Sequence, residues 1–154
     1  MSTYERQDSQ QTLAEAIAEY YAVNPGLASL RKMSPEAEQF FRCHDAAHVV
    51  FGCGIGLDDE AIVKISSILG TSAGLSVLKG YRLHESLQIY MQLSPRAVLS
   101  SVARSIVVVP RTILRCMNQR SPWPWADFER HLAVPLRDIR QEFGIKVAHC
   151  NASQ

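Results

Sequence analysis

Apolar residues recur at helical spacing along most of the chain. Residues 12–23 place Leu13, Ala16, Ile17 and Tyr20 on one face before Asn24-Pro25-Gly26 stops the pattern. Ser34-Pro35-Glu36 reads as a helix start, with a capping serine, a proline at the first helical position and acids in the first turn. That helix should carry Phe40, Phe41, Ala47 and Val50 into the glycine-rich Gly52-Cys53-Gly54-Ile55-Gly56. Asp58-Asp59-Glu60 opens the next, with Ile62, Ile65, Ile68 and Leu69 leading to Gly70. A short helix over 82–93 is expected next. Ser94-Pro95 then opens a long one to about residue 117, bent or broken at Pro110. Trp123 and Trp125, held between prolines in a rigid connector, read as core anchors. Val134-Pro135 starts a final helix that Gly144 ends. The β-branched run Ile106-Val107-Val108-Val109 lies inside helical flanks and is read as helix. The expectation is an all-α fold: one compact multi-helix domain over residues 1–154, without repeats or an internal linker.

Composition narrows the classes. At 154 residues, 47% hydrophobic and 20% charged, the chain can bury a core and is not a disordered segment. A formal net charge of +1 argues against nucleic-acid binding driven by overall basicity. No apolar run approaches the roughly 18 to 20 residues that cross a bilayer. The polar start lacks a secretory signal core, so a cytoplasmic protein is expected. Cys43, Cys53, Cys116 and Cys150 form no CxxC pair, which supports neither a disulfide framework nor a zinc ribbon. Charge is nonetheless uneven. Residues 1–60 hold four basic and ten acidic side chains, and residues 79–120 hold seven basic and one acidic. The two halves either attract each other within the fold or serve a metal site and an anion-facing surface.

The chemistry gathers at His44-Asp45-Ala46-Ala47-His48 and Glu60. Residues on a helix advance by about 100° each, so His44 and His48 share a face that Asp45 can join. Two imidazoles and a carboxylate make half a metal site, and a further ligand must come from elsewhere. Glu60 suits that role, because the glycine-rich turn reverses the chain and sets it in the first turn of the next helix. The plainer reading has two partly buried histidines and a run of acids favoured by the helix dipole. The metal reading is preferred because Asp45 and Glu60 complete a ligand set between two consecutive helices. Nitrogen with oxygen donors suits zinc first, with iron, manganese or magnesium as alternatives.

His44-Asp45-x-x-His48, eleven residues and then Glu60 resembles the HDxxHx11E signature of the fourth coenzyme Q (ubiquinone) biosynthesis protein family. Val49-Val50-Phe51-Gly52 after the motif is similar too. So are Pro135-Leu136, Ile139-Arg140 and Phe143-Gly144-Ile145 near the end, so that the likeness spans residues 34–145. The resemblance implies an all-helical, often dimeric protein with a divalent metal on His44, Asp45, His48 and Glu60. It further implies a hydrophobic groove for a prenylated quinone precursor or other isoprenoid lipid, and peripheral attachment to the inner membrane. Partnership with other ubiquinone-biosynthesis enzymes and an oxidative decarboxylation at ring carbon 1 also follow from it. The chain departs from the family in being short before the motif, in the small Ala46 and Ala47, and in Asp59 where a glycine is usual. These departures fit a short, divergent member.

Other features carry less. Gly52-x-Gly54-x-Gly56 is read as an interhelical turn, because a dinucleotide loop needs a preceding strand. On a continuous helix Arg96, Arg104, Arg111 and Arg115 fall within about 100°, opposite Val102, Ile106, Val109 and Ile113. That stripe is either a face for a membrane or anionic lipid, or a solvated surface. His84-Glu85 reads as surface, and His131 and His149 have no evident partners. Three functions remain: a metal-dependent enzyme of ubiquinone biosynthesis, a non-catalytic metal-stabilised lipid-binding scaffold, and an HD-type metal phosphohydrolase. The last, by resemblance, wants a metal-binding histidine upstream, and His44 is the first of five.

Overall fold

A computed structural model describes residues 2–29, 34–82 and 95–148. Its α-helices are α1 Leu13–Val23, the single turn α2 Gly26–Ser29, α3 Pro35–Phe51, α4 Leu57–Leu69, α5 Val77–Arg82, α6 Pro95–Met117 and α7 Leu136–Phe143. Short 3-10 turns lie at Thr3–Glu5, Gly74–Ser76 and Phe128–His131. Among the described residues, β-type pairing is confined to two isolated bridges, Thr12 with Pro135 and Thr71 with Trp123. The fold is all-α.

Helix α3 forms the centre. Ser34 Oγ accepts a hydrogen bond from Ala37 N (3.3 Å) and Pro35 takes the first helical position, so the start expected from sequence is the start observed. From Cys43 to Phe51 every residue of α3 is buried. Ala46 and Ala47 have no solvent exposure, and their small side chains let neighbours approach closely. Helix α1 packs on α3, α4 lies on another side, and α7 meets it as well.

The end of α3 is sealed tightly. Gly52 adopts φ +68°, and a Cβ there would lie 2.8 Å from Val147 Cβ, so glycine is needed for both conformation and space. Ala148 N donates to Phe51 O at 3.1 Å, laying the C-terminal segment across this helix end. Arg140 of α7 is buried beside it, donating to Val49 O (2.8 Å), Val50 O (2.9 Å), Tyr4 O (2.6 Å) and Arg6 O. One guanidinium thus ties the N-terminal segment to the last carbonyls of α3.

Helix α6 packs along α4 and continues through Pro110, so that, of the expected bend or break, the break does not occur. Pro110 is exposed, so the carbonyl one turn back that loses its N–H donor can be hydrated. The face of α6 that meets the core holds Val108, Thr112 and Cys116, with Thr112 Oγ1 donating to Val108 O at 2.8 Å. Of the helix expected at 82–93, the described part is the end of α5; the rest lies outside the described residues. Trp123 and Trp125 are buried, as expected of anchors. The Trp123 backbone pairs with Gly70 O and Ser72 N, both at 2.8 Å, and so fixes the connector to the end of α4.

Candidate metal centre

Helix α3 presents His44 and His48 one turn apart, with ring centroids 4.6 Å apart. The Gly52–Gly56 turn returns the chain, and Gly56 caps α4 so that Glu60 falls in its first turn. The Glu60 carboxylate meets both rings, with Oε1 3.3 Å from His48 Nε2 and Oε2 4.0 Å from His44 Nε2. One ligand atom from each of the three residues lies within 4.8 Å of the others. Donors at about 2.0 to 2.2 Å around a tetrahedral ion sit about 3.4 Å apart, so a divalent cation fits this spacing. The site lies between consecutive helices, as the spacing predicts.

His48 is fixed more firmly than spacing alone requires. Its Nδ1 lies 2.8 Å from Gly54 O, and since a carbonyl only accepts, Nδ1 carries the proton. In the neutral ring Nε2 then bears a lone pair, turned towards an anionic carboxylate. His48 Nε2 is fully buried and makes no hydrogen bond. A buried imidazole nitrogen 3.3 Å from a carboxylate oxygen, with the other ring nitrogen held by a carbonyl, is a donor pair that a divalent cation can bridge. Tyr20, stacked on His48 at 5.5 Å, and Phe40, stacked on His44 at 6.0 Å, hold the rings in place.

Electrostatics favour the ligating forms. Burial drives the His44 imidazole below its ordinary value, which keeps it neutral despite the nearby Asp45 and Glu60. Burial pushes the Glu60 carboxyl up, but the facing His48, with smaller contributions from the other neighbours including Lys64, outweighs it, and the net shift is down. A neutral His44 and an ionised Glu60 are forms that a divalent metal can bind.

Asp45 lies next to the cluster, against His44. It is buried, but its Oδ2 accepts the Tyr21 hydroxyl at 2.6 Å and its Oδ1 lies 3.8 Å from His44 Nδ1. It stands outside the three-residue cluster, behind His44. Asp59 packs over the glycine turn, where its Oδ2 would be 3.2 Å from a Cβ on Gly54 or Gly56. The glycines make an interhelical turn, as read from the sequence.

The arginine stripe is only partly visible. Arg111 is exposed, Arg115 is half-buried beside Ser66 and Cys116, and the side chains of Arg96 and Arg104 lie outside the described residues. Ile106, one of the apolar side chains placed opposite that stripe, is 75% exposed. Val107, Leu114 and Met117 are exposed with it. His84, Glu85 and His149 lie outside the described residues. His131 packs between Trp123 (4.9 Å) and Phe143 (5.7 Å).

Three contributors escape a reading of the sequence. Tyr21 falls off the apolar stripe of α1, and the Tyr20-Tyr21 pair is the only hint that one phenol has a polar task. The Gly54 carbonyl leaves no trace in side-chain pattern. Gly80 of α5 makes room for Phe40, since a Cβ there would fall 2.1 Å from the ring. Compared with known proteins, the chain matches no family model, no curated protein and no solved structure, so the likeness to the coenzyme Q proteins rests on its motif residues.

Proposed function

We propose that this protein is a metal-stabilised helical domain that binds a polyprenylated aromatic precursor at a membrane surface and serves ubiquinone assembly as a scaffold. The observation that carries the reading is the buried convergence of His44, His48 and Glu60 across α3 and α4. A bound divalent cation would supply positive charge against Glu60 and join the two helices. The chain's own residues do the rest: Gly54 O sets the tautomer of His48, Tyr21 holds Asp45 behind His44, and Tyr20 and Phe40 exclude water.

The membrane part is supported by α6. Ile106, Val107, Leu114 and Met117 expose an apolar strip beside Arg111. Apolar insertion flanked by cations is how an interfacial helix lies on an anionic bilayer. No helix among the described residues is long and apolar enough to cross a membrane, so attachment would be peripheral. The substrate class and the partner enzymes come from the motif resemblance.

A second reading, the oxidative decarboxylation at ring carbon 1, is favoured by one feature. The Glu60 side chain is 29% exposed while both histidines are buried, and three protein donors leave a position for an exchangeable ligand. Native mass spectrometry of protein from its own host tests the proposal by scoring metal, co-purified lipid and subunit number together. One divalent ion per chain, a prenylated lipid and a chelator-sensitive melting temperature are expected. Turnover of a carboxylated prenyl ring by the metal-loaded protein would promote the second reading. Protein carrying no prenyl lipid and binding no liposome would overturn the ubiquinone assignment.

A further inference from the structure

Between the N-terminal segment, the chain after α6 and the end of α7 lies an open cleft of about 420 Å³, lined by none of the metal-centre residues. Its lining includes Asn118, Arg120, Arg137, Arg140 and Lys146, with Asp8 as the one carboxylate. We propose that this cleft binds a small molecule carrying a diphosphate group.

The first argument is charge. The lining carries Arg120, Arg137, Arg140 and Lys146 against one carboxylate, Asp8, with Asp8 paired to Arg6 (3.3 Å) and Arg137 to Asp138 (3.0 Å). Arg120, Lys146 and Arg140 remain, with no carboxylate paired to them among the described residues. Arg140 is the most telling of the three, since all four of its acceptors are neutral carbonyls. Its charge is therefore hydrogen-bonded but not neutralised, and it lines the cleft. Three positive charges match the charge of a diphosphate near neutral pH.

The second argument is construction. Gly144 has φ +70°, and a Cβ there would lie 2.8 Å from Arg120 N and 3.0 Å from Arg120 Cγ. The chain after α6 is thus pressed against the end of α7, and the base of the Arg120 side chain is fixed at the cleft wall. Two of the carbonyls at this helix end, which would repel an anion, are already occupied. Phe143 O accepts from Arg120 N at 2.9 Å, and Arg140 O accepts from Ile145 N at 2.8 Å. The exposed ends of Arg120 and Lys146, with the Asn118 amide, are left to donate to phosphate oxygens. The volume falls in the range of small-molecule sites, about 300 to 1,000 Å³, and exceeds what one phosphate fills.

The test is a titration of the full chain with inorganic diphosphate, read by amide chemical shifts and by calorimetry. Saturable one-to-one binding is expected, with shifts at Arg120 and residues 144–146 rather than at His44 and His48. The location of the shifts separates this cleft from simple chelation at the metal centre. Arg120→Gln and Lys146→Gln, both at exposed positions, should each weaken binding about tenfold. Arg130→Gln, which does not line the cleft, should leave it unchanged. Adenosine diphosphate and geranyl diphosphate as further probes would show whether the natural source is a nucleotide or an isoprenoid, and tighter binding of either one supports the proposal. Binding that inorganic sulfate matches, or that ignores both substitutions, would overturn it, as would no saturation at millimolar diphosphate.

Discussion

His48 Nδ1 lies 2.8 Å from the carbonyl oxygen of Gly54, six residues further along the chain. The turn that carries the backbone from α3 to α4 therefore also sets which nitrogen of His48 faces Glu60. Ligand orientation and chain reversal are one event. Removing either helix from its place would release the imidazole, so the metal centre and the packing of α3 on α4 are coupled.

That coupling makes Glu60 and Asp59 a sharp comparison. Glu60→Gln should weaken divalent-metal binding by about tenfold or more, since it removes the carboxylate charge between two imidazoles. Asp59→Asn, altered over the glycine turn, should change it by less than about threefold, in keeping with a first-turn acid worth roughly 0.3 to 1 kcal/mol. Competition with a colorimetric chelator measures both. Equal losses would assign the wrong carboxylate.

Tyr21→Phe should lower metal affinity by about tenfold, while leaving the three donors in place. The hydroxyl holds Asp45 at 2.6 Å, and Asp45 stands behind His44. The same chelator competition reads the loss. An unchanged affinity would make the Tyr21–Asp45 pair a packing feature only.

Arg140→Met should cost about 3 to 5 kcal/mol in urea denaturation, because it leaves the carbonyls of Tyr4, Arg6, Val49 and Val50 without their donor. Arg140→Lys should recover only part of this, since an ammonium cannot span the four acceptors of a planar guanidinium. Full recovery with lysine would show that charge, rather than the fork of donors, holds this junction.

Acid should destabilise the metal-free chain. The His44 and Glu60 values are both lowered on folding, from ordinary values of 6.5 and 4.5. The unfolded chain then binds more protons than the folded one as pH falls, so stability is complete above these values and is lost below them. The loss should begin below about pH 6.5 through His44 and deepen below about 4.5 through Glu60. Urea midpoints between pH 7.5 and 4 should fall accordingly, and His44→Gln should flatten the upper limb. A midpoint that rises on acidification contradicts the assignment.

Liposome co-sedimentation addresses α6. Binding should require anionic lipid, decline with salt and weaken when Leu114 and Met117 are both changed to Ser. Arg111→Gln should weaken it further, at about 1 kcal/mol per charge near the surface. Binding that persists in the double serine variant would move the contact away from this face.

Much of the fold was legible in residues that act locally. Ser34-Pro35 starts α3, Gly52 and Gly144 end their helices at positive φ, and HDxxH with Glu60 predicted a site between two helices, because caps, turns and helical spacing depend on near neighbours. Pro110, expected to bend or break its helix, does not break it: whether a proline interrupts a helix depends on whether solvent reaches the carbonyl it strands, and that is decided by which face is outward.

The remainder belongs to tertiary structure. Angular position on a helix says that Asp45 can reach the face of His48, but only the fold shows that Tyr21, 24 residues earlier, donates to its carboxylate. Apolar residues on α6 suggest burial, yet α4 covers only one side of that helix, and Ile106 and Met117 remain exposed. Arg140 reads as an ordinary helix-end cation until the N-terminal segment and the end of α3 bring four carbonyls around it. Side-chain chemistry and helical period are properties of the sequence itself. Which partner each group finds is set when distant segments exclude water together, and there the best-satisfied arrangement prevails over the one that spacing alone allows.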